Sequence, residues 1–194
     1  GKSTLMDIMM GLLIPSSGNI IIDGIKIDFS SLKKWQSKIS HVSQAIFLID
    51  ANVNENIAFG VTKSQMDYSL IEQSARISES LHFIKKLKNG LESRVGERGA
   101  QLSGGQLQRI GIARALYKEK EVIFFDEATS ALDLLTEEKI MSNVFELKND
   151  LTIIMIAHRL ETLKNCDFIV ELKDGKVNAL KSYKELIAKR SQHA

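Results

Sequence analysis

The chain has 194 residues, enough for one α/β domain, and its 44% apolar content can fill a core. Its 26 Lys and Arg against 24 Asp and Glu leave a net charge of +2 with no basic block, which argues against an electrostatic nucleic-acid binder. The single cysteine, Cys166, excludes an internal disulfide and reads as a small hydrophobe near a strand. No apolar run approaches the ~20 residues that span a bilayer.

Taken from its start, Gly1-Lys2-Ser3-Thr4 is the tail of the phosphate-binding pattern GxxxxGK[ST] and opens a helix whose apolar positions include Leu5, Ile8, Met9 and Leu12. In the full pattern backbone amides cradle the phosphates, the lysine reaches the β- and γ-phosphates, and the hydroxyl ligates Mg²⁺. Four residues alone also read as an ordinary surface lysine beside a serine cap. The sequence begins inside the motif, without methionine, so the chain is expected to be a fragment that binds nucleotide poorly by itself. Pro15–Gly18 is a turn signal, and Asn19–Ile22 with Ile25–Ile27 read as a hairpin across Asp23-Gly24. Trp35 is expected in a local core. Ile39–Ser43 reads as a strand ending at Gln44, and the apolar run Ala45–Asp50 suits either a partner-covered surface or burial within a helical region.

From Ala51 to Leu91 helical spacing dominates, with Ile71, Ala75, Ile77, Leu81, Ile84 and Leu87 as core, His82 as a structural residue and Asn89-Gly90 as the stop. Val95–Gly99 precedes Leu102-Ser103-Gly104-Gly105-Gln106, where a serine and two glycines introduce a helix carrying Leu107, Ile110, Ile112, Ala113 and Leu116. Glycines there let backbone N–H groups approach an anion, and the helix N-terminus adds its positive end. Val122–Phe125 is a strand buried on both faces that ends in Asp126-Glu127. Carboxylates at the C-terminal end of such a strand lie where α/β sheets bind ligands, one able to hold Mg²⁺ and its neighbour to take a proton from water; a bare acidic turn reads as well locally. Ser130–Asp133 leads into an amphipathic helix over Leu135–Leu147, with Ile140, Val144 and Leu147 on one face. Thr152–Ala157 is a second buried strand, and His158 is the one of four histidines at the end of a core strand. Asp167–Leu172 and Lys176–Ala179 close the chain as strands across Asp174-Gly175, before a polar helix over Ser182–Arg190.

The succession LSGGQ, an arginine-bearing helix, VIFFDE and Ser130-Ala131-Leu132-Asp133 resembles the signature motif, Walker B strand and D-loop of the ATP-binding cassette (ABC) ATPases. The likeness runs from Gly1 to about Glu185 and makes the opening residues a P-loop tail. It implies a P-loop NTPase (RecA-like) α/β fold: a parallel core sheet, a small antiparallel part and a helical subdomain that carries the signature. The expected division is 1–47 for the first part of the core, 48–117 for the helical subdomain and 118–194 for the rest of the core. ATP and Mg²⁺ are the implied ligands. Gly1, Lys2, Ser3, Thr4, Gln44, Asp126 and His158 are the implied ATP contacts, with Ser3, Gln44 and Asp126 toward the metal. Glu127 is the implied general base, with Gln44 and His158 ordering the attacking water.

The family also implies a second cassette, identical or different, bound head-to-tail. Ser103, Gly104, Gly105, Gln106 and Asp133 would then meet ATP held by that partner. None of Asp126, Glu127 or His158 is replaced. Leu107 departs from the basic or polar residue that relatives usually carry after the signature. Val95–Gly99 matches a segment in ABC exporters whose acidic residue touches the transmembrane domain. The expectation is therefore the ATPase module of an exporter or flippase, its transmembrane domain fused N-terminally, at the cytoplasmic face of a membrane such as the bacterial inner membrane. The runs Ile46–Gly60 and Glu137–Asp150 look similar to bacterial lipid-linked oligosaccharide flippases and related lipid or polysaccharide exporters. The alternatives are a soluble ABC ATPase of DNA repair or translation, against which the lack of a coiled-coil insertion and the single signature speak, or an inactive truncated cassette.

Overall fold

The computed structural model describes residues 1–96, 101–147, 151–157 and 159–191. Its centre is a parallel sheet, β3 (Ile39–Val42), β4 (Val122–Asp126) and β5 (Thr152–Ile156), in the order β3-β4-β5. Ile39 pairs with Val122, and Val122 with Thr152, so all three strands end level with one another. β4 is the middle strand, and its Ile123, Phe124 and Phe125 are buried, as a run with no polar alternation requires. β5 was expected to be buried to the same degree. Only its Ile156 is, because β5 pairs with β4 alone among the described residues.

Helix α1 (Lys2–Met9) lies against β4. The inward positions are Met6 and, just past the helix, Met10, which pack with Trp35, Phe124 and Ile156. Leu5 and Leu12, two of the apolar positions read in this stretch, are exposed: four-residue spacing puts Met6 and Met10 on the sheet side, and Leu12 lies beyond Gly11, whose φ of +71° ends the turn. The expected hairpin forms from β1 (Ile20–Ile22) and β2 (Ile25–Ile27), with left-handed Asp23 and Gly24 at its tip. Trp35, on α2 (Leu32–Ser37), is buried and donates its indole N–H to Met9 O at 2.8 Å.

The stretch 51–91 is several short helices: α3 (Val53–Ile57), α4 (Tyr68–Ile77) and α5 (Leu81–Ile84), with single 3₁₀ turns at Lys63–Gln65 and Gly90–Glu92. Side-chain caps at Asn52 and Asp67 begin α3 and α4, satisfying amides that a continuous helix would have bonded internally. Asn89-Gly90 therefore lies in a 3₁₀ turn beyond α5 and does not end a helix. His82 is exposed, Phe83 takes the inner position beside it, and Ile77 is half-buried.

Helix α6 (Gly104–Tyr117) joins the two regions. Its Ile110, Ala113 and Tyr117 pack with Leu48, Val53, Ile57, Ile71 and Ile84, while Ile112, Ala115 and Leu116 pack with Val42, Ile123 and Phe125. Helix α7 (Leu134–Glu146) covers the sheet through Ile140 and Val144. The chain closes with the hairpin β6 (Ile169–Lys173) and β7 (Lys176–Lys181) and with α8 (Tyr183–Ser191).

Candidate functional site

Three chain segments converge at the C-terminal ends of β3, β4 and β5, where open α/β sheets hold their ligands. The first is the start of α1. Gly1 is its N-cap, Lys2, Ser3 and Thr4 form an exposed first turn, and no side chain caps their amides. A helix start with uncapped amides, a lysine and hydroxyls has the chemistry to hold an anion.

The second segment leaves β4. Asp126 ends the strand and Glu127 follows with φ of 51°, a left-handed backbone that costs a glutamate on the order of 1 kcal/mol. The Glu127 N–H donates to Ile156 O at 3.2 Å, which ties this turn to the end of β5. Burial raises the Asp126 carboxyl above the ordinary carboxylate range. Nearby His41 pulls it down, Glu127 and Asp7 push it further up, and Lys2 opposes them. The floor of the site is thus a carboxylate short of positive charge, a setting that suits a divalent cation bound through one carboxylate and ligand oxygens.

The third segment leaves β3. Gln44 is exposed, and its Nε2 donates to Glu127 Oε2 at 3.2 Å. Two residues on, Ile46 turns inward onto Gly111 of α6, Leu48 is fully buried, and Phe47 stays 58% exposed. The apolar run after Gln44 is therefore part core, through Ile46 and Leu48, and part exposed, through Phe47. His158 and the Glu97–Ala100 stretch lie outside the described residues.

Ser103, Gly104, Gly105 and Gln106 stand apart from this group, at the N-terminus of α6. Ser103 and Gln106 form a reciprocal capping box: Ser103 Oγ accepts from Gln106 N at 3.3 Å, and Gln106 Oε1 accepts from Ser103 N at 2.9 Å. The two glycines lie on the 130–133 turn; a Cβ on Gly105 would sit 3.2 Å from Ala131 O, and one on Gly104 3.6 Å from the Ala131 Cβ. Asp133 caps α7, accepting from Thr136 N at 3.0 Å, and that bond holds its carboxyl below the usual range. The α6 start thus packs on the 130–133 turn that follows Glu127.

Several residues that the motifs do not name organise the site. Buried Gln108 donates from Nε2 to Ser130 Oγ (3.3 Å) and accepts from Ala131 N (3.0 Å), fixing the 130–133 turn to α6. Arg109 lies over the Phe83 ring, 4.8 Å from its centroid, and donates to Glu79 O at 3.0 Å. Arg114 reaches Asn56 O and Phe47 O, each at 2.8 Å, joining α6 to α3 and to the run after Gln44. His41 and Asp7 act on Asp126 electrostatically. No motif marks His41, Gln108 or the two arginines in the sequence.

The chain matches the family model described as "ABC transporter" over residues 1–130. It is 39% identical over 194 residues to the ATP-dependent lipid A-core flippase of Vibrio parahaemolyticus, an alignment covering 100% of this chain and 33% of that protein. It is 36% identical over 192 residues to the heterocyst differentiation ATP-binding protein HepA of a Nostoc strain, covering 99% of this chain and 31% of that protein. In structure it resembles a bacterial Atm1-family ABC exporter solved with ATP bound, with a TM-score of 0.89, 34% sequence identity, and coverage of 98% of this chain and 33% of that one. The chain spans about a third of the length of these relatives.

Proposed function

The chain belongs to the ABC transporter family, in which this domain binds and hydrolyses ATP, and from that premise we propose that it powers export or flipping of a substrate by transmembrane segments of a longer protein. The observation that carries the reading is the contact of Gln44 Nε2 with Glu127 Oε2 beside the exposed α1 start, which assembles a phosphate site and a candidate base. In it, Gly1, Lys2, Ser3 and Thr4 bind the phosphates, and Ser3, Gln44 and Asp126 hold Mg²⁺, which offsets phosphate charge when bound. Glu127 accepts the proton of the attacking water, Gln44 orients that water, and His158 is assigned to the γ-phosphate on its motif. The division into core segments 1–47 and 118–194 around a helical subdomain 48–117 belongs to the same reading.

In this reading one chain holds two half-sites, the sheet-end group and the α6 start. Ser103, Gly104, Gly105, Gln106 and Asp133 serve ATP held by a second cassette, in a head-to-tail pair closed by charge-assisted bonds to the γ-phosphate. Hydrolysis removes those bonds and the pair opens, shifting the conformation of attached domains. Exposed Phe47, three residues after Gln44, is the contact assigned to a transmembrane domain, with this module at the cytoplasmic face of a membrane. The lipid A-core flippase among its relatives favours an amphiphilic lipid or lipid-linked glycan as cargo. The test is Glu127→Gln in the complete protein: ATP binding is retained and hydrolysis falls by about 10²–10⁴-fold. Near-normal turnover would remove Glu127 as the base.

A further inference from the structure

One buried carboxylate outside the motifs ties three site-bearing segments together. Glu137 lies in the first turn of α7 with its side chain 5% exposed. Its Oε1 accepts from Thr129 Oγ1 at 2.8 Å and from Thr162 Oγ1 at 2.6 Å, and its Oε2 pairs with Arg159 Nη1. The same Nη1 donates to Leu132 O at 3.0 Å. Thr129 stands two residues after Glu127, Leu132 belongs to the turn that lies under Gly104 and Gly105, and Arg159 belongs to the segment that follows β5. Burying a carboxylate costs several kcal/mol unless every lone pair is used, and an apolar filler of equal volume often serves stability as well or better. What an apolar residue could not do is hold three separate backbones in register.

We infer that Glu137 and Arg159 are a positioning pair for ATP hydrolysis, setting the turn that follows Glu127 and the backbone under the signature glycines relative to the exit of β5. Neither residue touches the nucleotide in this scheme. Removing the pair leaves the phosphate site at α1 intact but lets the Thr129–Leu132 segment drift, and displacement on the order of 1 Å costs up to about 10²-fold in rate. The inference rests on the ATPase reading above, and the experiment separates the two.

In the complete protein, kcat and KM for ATP and the thermal midpoint are measured for Glu137→Gln, Arg159→Gln and their double variant. Thr129→Val and Thr162→Val, which each remove one hydrogen bond, serve as milder variants should the charge changes prevent folding. The pair predicts that each single charge variant lowers kcat about 10–100-fold with KM within about twofold, and that the double variant is no slower than the slower single. The threonine variants lower kcat severalfold with KM unchanged. A kcat that falls only in step with thermal stability, or single effects that multiply in the double, overturns the inference. Wild-type protein without ATPase activity would instead overturn the ATPase reading itself.

Discussion

Gly111→Ala tests whether the packing between α6 and the run after Gln44 is as tight as its geometry implies. An added Cβ would lie 2.5 Å from Ile46 Cδ1, 2.8 Å from Cγ1 and 3.0 Å from Cγ2. Both branches of the isoleucine are in the way, and a β-branched side chain has few rotamers in which to retreat. Overpacking of this kind costs about 1–3 kcal/mol. Against it stands the helix propensity of alanine, worth about 1 kcal/mol over glycine in a helix interior. The net expectation in the wild-type background is a loss of up to about 2 kcal/mol, or roughly 4–8 °C in the thermal midpoint at this chain length. In an Ile46→Ala background the clash is gone and the same substitution should stabilise, by up to about 1 kcal/mol. Thermal unfolding of the four proteins gives the coupling, expected at about 1–3 kcal/mol. Because Gln44 is two residues from Ile46, Gly111→Ala should also lower ATP turnover, and Ile46→Ala should restore part of it. Equal stabilisation by Gly111→Ala in both backgrounds would refute the reasoning.

Two further outcomes follow from the same geometry. Trp35→Phe leaves Met9 O without its indole donor and opens space beside Met6 and Met10, so a loss of about 1–3 kcal/mol is expected in denaturant unfolding; an unchanged midpoint would contradict it. His41 titrates below 6.5, because burial outweighs the pull of Asp126 and Asp7. The folded chain then holds fewer protons than the unfolded one between that lowered value and 6.5, so the contribution of His41 is fully present above pH ~6.5 and is lost as pH falls through the window. Relative to His41→Gln, the wild-type thermal midpoint should drop as pH falls below about 6.5, and parallel profiles would remove the effect.

What could be read from the sequence divides along physical lines. Strand β4 was legible because an apolar run closed by two carboxylates leaves little choice of structure, and the hairpins were legible because Asp-Gly tips demand left-handed backbone. In the 51–91 region the apolar spacing pointed to helix but not to its breaks, because spacing alone does not reveal where a side chain caps the backbone. Asn52 and Asp67 do so through bonds that resemble ordinary polar sequence. The buried face of α1 was not legible for a related reason: Leu5 and Met6 are adjacent and equally apolar, and only the direction of the sheet chooses between them. Among site residues, the P-loop tail, Gln44 and the Asp126-Glu127 pair announced themselves through local pattern. Glu137 and Gln108 did not, since a carboxylate or amide on an amphipathic helix looks like solvent-facing surface until its partners, eight to twenty-five residues away, are folded against it.

The central claim, that one chain supplies the sheet-end half of a site and its partner the α6 start, is tested most directly by complementation. Glu127→Gln and Ser103→Arg chains of the complete protein, each inactive alone, are co-assembled and their ATP hydrolysis is measured. The account predicts recovery to about a quarter of the wild-type rate, since half of randomly formed pairs are mixed and each mixed pair has one whole site. Hydrolysis that stays at the level of the separate variants would contradict it.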